Sequence, residues 1–283
     1  MQRERVTDDI YVFTSDRYAQ VTAGVVATSE GAVVIDTLVY PEETRIIRRF
    51  VEERLEIPVR YVINTHFHAD HTTGTCFFPD ATVVAHERTW DLLDRRGRES
   101  LERARVNSPE MRDVVLVLPD LMFDSRMVFR LGDKTFRLWS SPGHSADSIV
   151  CLVEEDQVLF AADTLMPIPH FVDGNYDDLM HSLHALRLHT YECVVQGHGE
   201  VVLRGEIPER IQDDIDYMLK LSDRVEEAIN SDYPESALES IDVESCGKSR
   251  ILLNGLAQQL HRGNVLALAE QKRQEMQAGI QNP

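Results

Sequence analysis

The sequence lacks a long apolar run, since no stretch approaches the roughly 18 apolar residues that a membrane-spanning helix needs. Its first residues, MQRERVTDDIYVF, carry charges but no apolar core of a secretory signal, so we expect no export signal. Cysteine is scarce, and the residues that occur are widely spaced without a CxxC pair: Cys76, Cys151, Cys193 and Cys246. We therefore expect no membrane partner, reduced thiols and a cytoplasmic location.

Basic residues are also in deficit, because 29 lysines and arginines face 48 aspartates and glutamates, for a formal net charge of −19. So acidic a surface repels phosphate backbones, and we expect no nucleic-acid partner. Apolar residues make up 43% of the 283 residues, which is enough for a large core. The partner expected is a small-molecule substrate, and the composition leaves open whether the chain forms a homo-oligomer.

Short runs of β-branched residues recur in two blocks. The first contains IYVFT, VTAGVVATS and AVVIDT, then a helix from Pro41, the runs VRYVINT and TVVAH, and a charged helical stretch. The second contains MVFRLGDKTFRLWSS, SIVCLVEEDQVLFAADTL, a helix capped by Asn175, and ECVVQGHGE. No further strand is predicted after ECVVQGHGE, and helices follow from about Pro208. Two β blocks, each followed by helices, predict two sheets packed face to face with helices outside.

Five of the eleven histidines stand where predicted strands end, and two aspartates occupy equivalent places: His66, His68, His71, His144, His198, Asp70 and Asp163. In an extended THFHADH segment, His66 and His68 would point the same way, Asp70 would continue that register, and His71 would face elsewhere. Imidazole and carboxylate without thiolate suit zinc, iron or manganese. The pattern predicts a metal site and disfavours a chance run of histidines on a surface loop.

These motifs resemble the metallo-β-lactamase superfamily. THFHADH followed by Gly74, PGHS at 142–145, AADTL at 161–165 and QGHGE at 196–200 occur in the family's order, over roughly residues 10–205. The resemblance implies an α/β fold, a four-layer αββα sandwich with an additional C-terminal helical region. We expect residues 1–205 to form the catalytic domain and residues 206–283 to form helices that pack on the same domain.

The same resemblance implies two divalent transition-metal ions, zinc first, with iron or manganese as alternatives. One ion would be held by His66, His68 and His144, the other by Asp70, His71 and His198, and Asp163 would bridge them. Asp36, at the end of AVVIDT, resembles the family's upstream aspartate, which supports the site without ligating metal.

The activity implied is metal-dependent hydrolysis of an ester, thioester or lactone by a hydroxide held between two ions, as in glyoxalase II and the lactonases. Asp70 is the candidate for moving the proton. The alternatives are a mononuclear iron dioxygenase of the same fold, a phosphodiesterase, and a catalytically silent binding protein. The complete ligand set disfavours the dioxygenase and the silent protein. The sequence leaves open the substrate, the metal, the oligomeric state and the role of the C-terminal helices.

Other polar residues have weaker assignments. His170, in MPIPHF, is a candidate substrate contact, whereas His86 is expected to be structural and His261 is ambiguous. Tyr176 and Tyr217 are candidate hydrogen-bond donors to a substrate. The glycines of the metal motifs are expected to shape tight turns: Gly143, Gly197 and Gly199.

Overall fold

Two β-sheets form the centre of the molecule in the computed structural model, which describes residues 1–281. The first sheet has seven strands, paired in chain order: β1 (Gln2–Arg5), β2 (Ile10–Thr14), β3 (Thr22–Thr28), β4 (Gly31–Ile35), β5 (Val59–Ile63), β6 (Thr82–His86) and β7 (Leu121–Phe123). The second has six strands, also paired in chain order: β8 (Arg126–Leu131), β9 (Lys134–Ser140), β10 (Ile149–Val153), β11 (Val158–Ala162), β12 (Cys193–Gln196) and β13 (Val201–Leu203).

Within residues 1–281 the α-helices are α1 (Pro41–Arg49), α2 (Ala69–Thr72), α3 (Glu87–Leu92), α4 (Arg98–Asn107), α5 (Tyr176–Leu186), α6 (Ile207–Ile229), α7 (Pro234–Ser240) and α8 (Ala257–Gln281). Two π-helical segments follow α1 and join α3 to α4, and short 3-10 turns occur at Thr73–Phe77, Pro109–Met111, Glu244–Cys246 and Leu252–Gly255. None of the helices described is both long and apolar enough to cross a bilayer.

Three buried apolar clusters define the layers. The cluster between the sheets combines Ile35 and Ile63 of the first sheet with Phe136 and Phe160 of the second. A second cluster lies between the first sheet and α1, and a third joins the second sheet to α5, α6 and α8. Strand β4 is buried at every position because both of its faces are covered, so it reads as a continuous apolar run. The predicted αββα sandwich is therefore confirmed, as is its C-terminal helical addition.

The C-terminal helices share their core with the second sheet. Met218 of α6 and Leu268 of α8 belong to the same buried cluster as Leu159 of β11 and Val194 of β12. The outer face of the second sheet is thus covered both by α5 and by the helices beyond residue 206.

Three strands that the sequence pattern did not predict are β1, β7 and β13, and each lies at an edge of its sheet. The prediction that β structure ends at ECVVQGHGE is wrong, because β13 pairs antiparallel with β12. Strands β7 and β13 have three residues each, and β1 reads QRER with every residue exposed. Such short or fully polar edge strands have no apolar alternation, and a neighbour's backbone hydrogen bonds define them.

Parallel pairing brings the residues of the candidate site to one edge of the sheets. Strands β4 and β5 are parallel, as are β11 and β12, so their carboxyl ends lie at common edges. The residues that follow these ends include Asp36, His66, Asp163 and His198. The two sheets are joined at this edge, where the Thr22 amide donates to the Gly197 carbonyl at 2.9 Å.

Candidate metal centre

The structure brings all seven predicted ligand residues together at this edge in two groups. In each group the candidate ligand atoms lie within 4.8 Å of one another: His66, His68, His144 and Asp163 in the first, and Asp70, His71 and His198 in the second. Metal ligation by these residues stays a prediction, and the geometry below tests whether they suit it.

Asp163 lies between the two groups. Its Oδ2 is 3.2 Å from His144 Nε2 in the first group and 3.4 Å from His198 Nε2 in the second, and its Oδ1 is 3.3 Å from His71 Nε2. Burial opposes ionisation, but His198 and His71 hold the pKa of Asp163 well below its usual value. A Cβ on Gly197 would lie 1.8 Å from Asp163 Oδ1, so residue 197 must be glycine for close approach.

The local backbone around Asp70 differs from the expectation. Asp70 and His71 lie on α2, one helical turn that begins after His68, so the extended register predicted through Asp70 is wrong. This turn carries Asp70 away from His66 and His68 and places its Oδ2 3.4 Å from His198 Nε2. The grouping of Asp70 with His71 and His198 is the one that the family resemblance implied.

Hydrogen bonds on the outer side of the rings determine which nitrogen of each histidine carries a proton. His68 Nε2 donates to Asp173 Oδ2 at 2.9 Å, and His144 Nδ1 donates to the His170 carbonyl at 2.7 Å. These oxygens only accept, so the inner nitrogen of each neutral ring has a free lone pair. Metal-binding histidines in proteins are oriented in this way.

The outer ring nitrogens of the second group are hydrogen-bonded in the same way. His71 Nδ1 donates to Asp36 Oδ2 at 2.8 Å, and His198 Nδ1 donates to the Ala19 carbonyl at 2.9 Å. Asp36 is buried and also accepts from the Thr65 amide and hydroxyl, at 2.9 and 2.7 Å. Its position behind His71 agrees with the supporting role that the resemblance implied.

The inner nitrogens of the first group face one another. His68 Nδ1 lies 3.0 Å from His66 Nε2 and 2.9 Å from His144 Nε2. Burial lowers the pKa of His144 to about 3 and lowers that of His66, so both rings are neutral at pH 7. Neutral rings whose lone pairs converge repel one another unless a cation lies between them.

Two atoms of the centre are also buried without a hydrogen-bond partner among the described residues: His71 Nε2 and Asp163 Oδ1. Buried polar atoms are costly when unpaired, so such atoms point to an ion that satisfies them. The nitrogen and oxygen donors, the converging lone pairs and these orphaned atoms all fit divalent transition-metal ions.

Residues that sequence patterns missed hold His144 from the C-terminal side. Asn264 of α8 is fully buried, accepts from the Phe171 amide at 3.3 Å and donates to the Pro169 carbonyl at 2.6 Å. Its Oδ1 lies 3.1 Å from His170 Nδ1. Asn264 thus fastens the loop whose carbonyl, at His170, accepts from His144. The contact of His170 with the centre is made by its backbone carbonyl, which accepts from His144 Nδ1.

We expect Asn264→Leu to destabilise the protein by about 2–4 kcal/mol, because several buried polar groups lose their partner. Metal affinity is expected to fall about tenfold, since the loop that orients His144 is released. Urea unfolding and metal titration measure the two effects. Asn230→Leu, at an exposed asparagine that follows α6, is the control. Unchanged metal affinity in the Asn264 variant would show that α8 does not influence the centre.

The remaining candidates have partners away from the centre. Tyr176 donates to the Met218 carbonyl at 3.1 Å, and the Tyr217 hydroxyl lies 2.9 Å from His261 Nδ1 and 3.1 Å from Asn264 Nδ2. His86 accepts from the Arg88 amide and caps α3, as expected for a structural histidine. The two tyrosine hydroxyls therefore stabilise the packing of the C-terminal helices.

Comparison with known proteins gives relatives of one family. The model of the metallo-β-lactamase superfamily matches residues 17–206. The chain is 29% identical over 129 residues to a hydroxyacylglutathione hydrolase from Rhodopseudomonas palustris (strain BisB18), covering 45% of this chain and 43% of that protein. It is 27% identical over 181 residues to an atrochrysone carboxyl ACP thioesterase from Paecilomyces divaricatus, covering 63% and 50% of the two chains.

The chain spans about half the length of the curated relatives it matches. Among solved structures, the sec-alkylsulfatase Pisa1 from Pseudomonas sp. has a TM-score of 0.73 at 16% identity, covering 95% of this chain and 50% of that one. At that identity the likeness shows the fold alone. Because the family model matches well over half of the residues and includes every residue of the centre, the chain belongs to the metallo-β-lactamase superfamily.

Proposed function

We propose that this chain is a dinuclear metal hydrolase of acyl esters. Thioesters are the first candidate substrates, and lactones are the second. The observation that carries the proposal is the position of Asp163. Its Oδ2 lies 3.2 Å from His144 Nε2 in the first group and 3.4 Å from His198 Nε2 in the second. A shared carboxylate suits two ions held close together. Hydrolysis agrees with relatives named hydroxyacylglutathione hydrolase and ACP thioesterase.

In this proposal one ion, most readily zinc, would be held by His66, His68 and His144 and the other by Asp70, His71 and His198, with Asp163 shared. When bound, such ions lower the pKa of water to roughly 7 and polarise a carbonyl oxygen. The protein orients the imidazoles through Asp36, Asp173 and two backbone carbonyls.

We assign proton transfer to Asp70. Its carboxylate lies 3.7 Å from His71 Nε2 and 3.4 Å from His198 Nε2, so it belongs to the second group. Its side chain is 16% exposed, whereas that of His71 is fully buried. A partly exposed carboxylate at the edge of the centre is placed to exchange a proton with solvent.

The two rivals make different demands on the residues. A mononuclear iron dioxygenase would leave the second group without a function, although its candidate ligand atoms also lie within 4.8 Å of one another. A phosphodiesterase would have to bind anionic substrates on a chain of net charge −19. Both remain outcomes of the experiments that follow.

The protein is expected to prefer acyl esters to β-lactams. Shared between both ligand groups, the carboxylate of Asp163 would add negative charge to the centre, which would disfavour an anionic nitrogen leaving group. We expect kcat/KM for simple thioesters or lactones to exceed that for a chromogenic cephalosporin at least about 100-fold, or about 2.7 kcal/mol of barrier. Steady-state kinetics on the metal-loaded protein measures the ratio. Efficient cephalosporin turnover with esters untouched would contradict the proposal.

A further inference from the structure

A cavity of about 280 Å³ adjoins the first ligand group. Its lining includes His68, whose Nδ1 faces the other histidines, and Asp173, which accepts from His68 Nε2. The remaining lining comes from Val39 and Phe67, from α2 and the residue after it, from the segment 93–104, which includes most of α4, and from residues 111–116. Sites for whole drug-sized ligands measure about 300–1,000 Å³, so this cavity fits part of a substrate whose reacting group lies at the metals.

Part of the wall of the cavity is apolar. Phe67, Leu93, Met111 and Val114 all contribute to the lining, and each of these side chains is buried in the protein. They come from three separate segments of the chain that meet beside the metal centre. A hydrocarbon chain placed there exchanges water for apolar side chains, which is favourable in proportion to its area.

Charges in the lining are paired with one another. Arg96 Nη2 lies 2.6 Å from Asp173 Oδ1, and Arg103 Nη1 lies 3.2 Å from Glu99 Oε1. The Arg96 guanidinium also covers the Phe67 ring, at 4.8 Å from its centroid. A carboxylate or phosphate on the occupant would lie beside the carboxylates of Asp173 and Glu99, which already neutralise these guanidiniums. The cavity therefore suits an uncharged chain.

The size of the cavity decides which part of the substrate, the acyl group or the leaving group, it can bind. The leaving groups named for the two relatives, glutathione and an acyl carrier protein, are a charged tripeptide and a macromolecule. Neither fits a cavity of about 280 Å³ without unpaired charge. We propose that the cavity binds the uncharged apolar chain of the acyl group, an inference that rests on the proposed ester hydrolysis.

The test uses a series of acyl thioesters of N-acetylcysteamine, from acetyl to decanoyl, on the metal-loaded full chain. We expect kcat/KM to rise up to about fourfold per added methylene until the cavity is full. Ala104, which is half-buried in the lining, is replaced in Ala104→Trp. This variant is expected to lose at least tenfold in kcat/KM for the octanoyl thioester and to stay within twofold for the acetyl thioester.

The matched control is Val106→Trp on the same helix, where Val106 is 86% exposed and outside the cavity lining. It should reproduce the chain-length profile of the wild type, and circular dichroism and metal content should agree among all three proteins. Hydrolysis that is independent of acyl length, or equal profiles for Ala104→Trp and wild type, would overturn the subsite while leaving the proposed function intact.

Binding of octanamide, which is neutral and is not a thioester, tests the subsite separately. Calorimetry should show saturable binding to the wild type and to Val106→Trp, and at least tenfold weaker binding to Ala104→Trp. If no thioester of any length is cleaved, the proposed function is wrong, and octanamide binding alone decides the subsite. Equal affinity for all three proteins, or no binding to the wild type, would overturn it.

Discussion

Replacing Asp163 with alanine is expected to lower kcat/KM for ester hydrolysis at least about 10³-fold, or about 4 kcal/mol of barrier. The reason is that Asp163 is the one carboxylate within 3.4 Å of histidine nitrogens in both described groups, so its loss disturbs both ions. Metal content per chain should fall together with activity, as measured by elemental analysis after extensive dialysis.

Two further variants separate a ligand effect from a folding effect. Asp163→Asn keeps the shape of the side chain and removes its charge, so it should retain the fold while losing metal. His170→Ala should retain metal, because the carbonyl that accepts from His144 belongs to the backbone, and Asn264 still holds Pro169 and Phe171. Full metal occupancy and activity in Asp163→Ala would show that the bridging assignment is wrong.

Chelation is expected to have the second large effect, in both activity and stability. The native protein should hold close to two transition-metal ions per chain, and their removal should abolish turnover. Without ions, the lone pairs of His66, His68 and His144 converge at about 3 Å with nothing between them. The free energy of unfolding of the metal-free protein should therefore be about 4 kcal/mol lower than that of the protein with metal at 1,000 times its dissociation constant.

Elemental analysis, calorimetric unfolding and activity assays before and after chelation measure these effects, and added zinc should restore all three. A single ion per chain after supplementation with zinc, iron or manganese would exclude the hypothesis of a dinuclear site and favour the mononuclear dioxygenase. Activity that survives complete removal of metal would contradict hydrolysis by a metal centre altogether.

Four residues with a strained backbone lie around the same centre. Asp36 and Ala162 have positive φ values of 57° and 46°, and Ala19 and Gln20 have 45° and 53°. Non-glycine residues in this region cost about 1–3 kcal/mol each. Asp36 supports His71, Ala162 precedes Asp163, and the Ala19 carbonyl accepts from His198. These four strained positions thus adjoin groups that orient the candidate ligands.

Both the sandwich architecture and the candidate ligand residues could be predicted from the sequence. Strands buried on both faces, such as β4, read as continuous apolar runs because burial dictates residue type. His66, His68 and His71 were identifiable because metal ligation requires particular side chains, and these follow a strand in one short motif. The prediction failed where a local turn was involved, since α2 carries Asp70 away from the register of an extended strand.

The groups that orient those ligands can be identified only in the folded structure. Asp173 is 105 residues from His68 in sequence, the Ala19 carbonyl is 179 residues from His198, and Asn264 is 94 residues from His170. No periodicity links such distant positions, and a backbone carbonyl is present whatever the residue type. The cavity beside His68 likewise exists only because separate segments meet there. Local patterns record burial and ligand chemistry, whereas contacts of this range depend on how the two sheets and the C-terminal helices pack together.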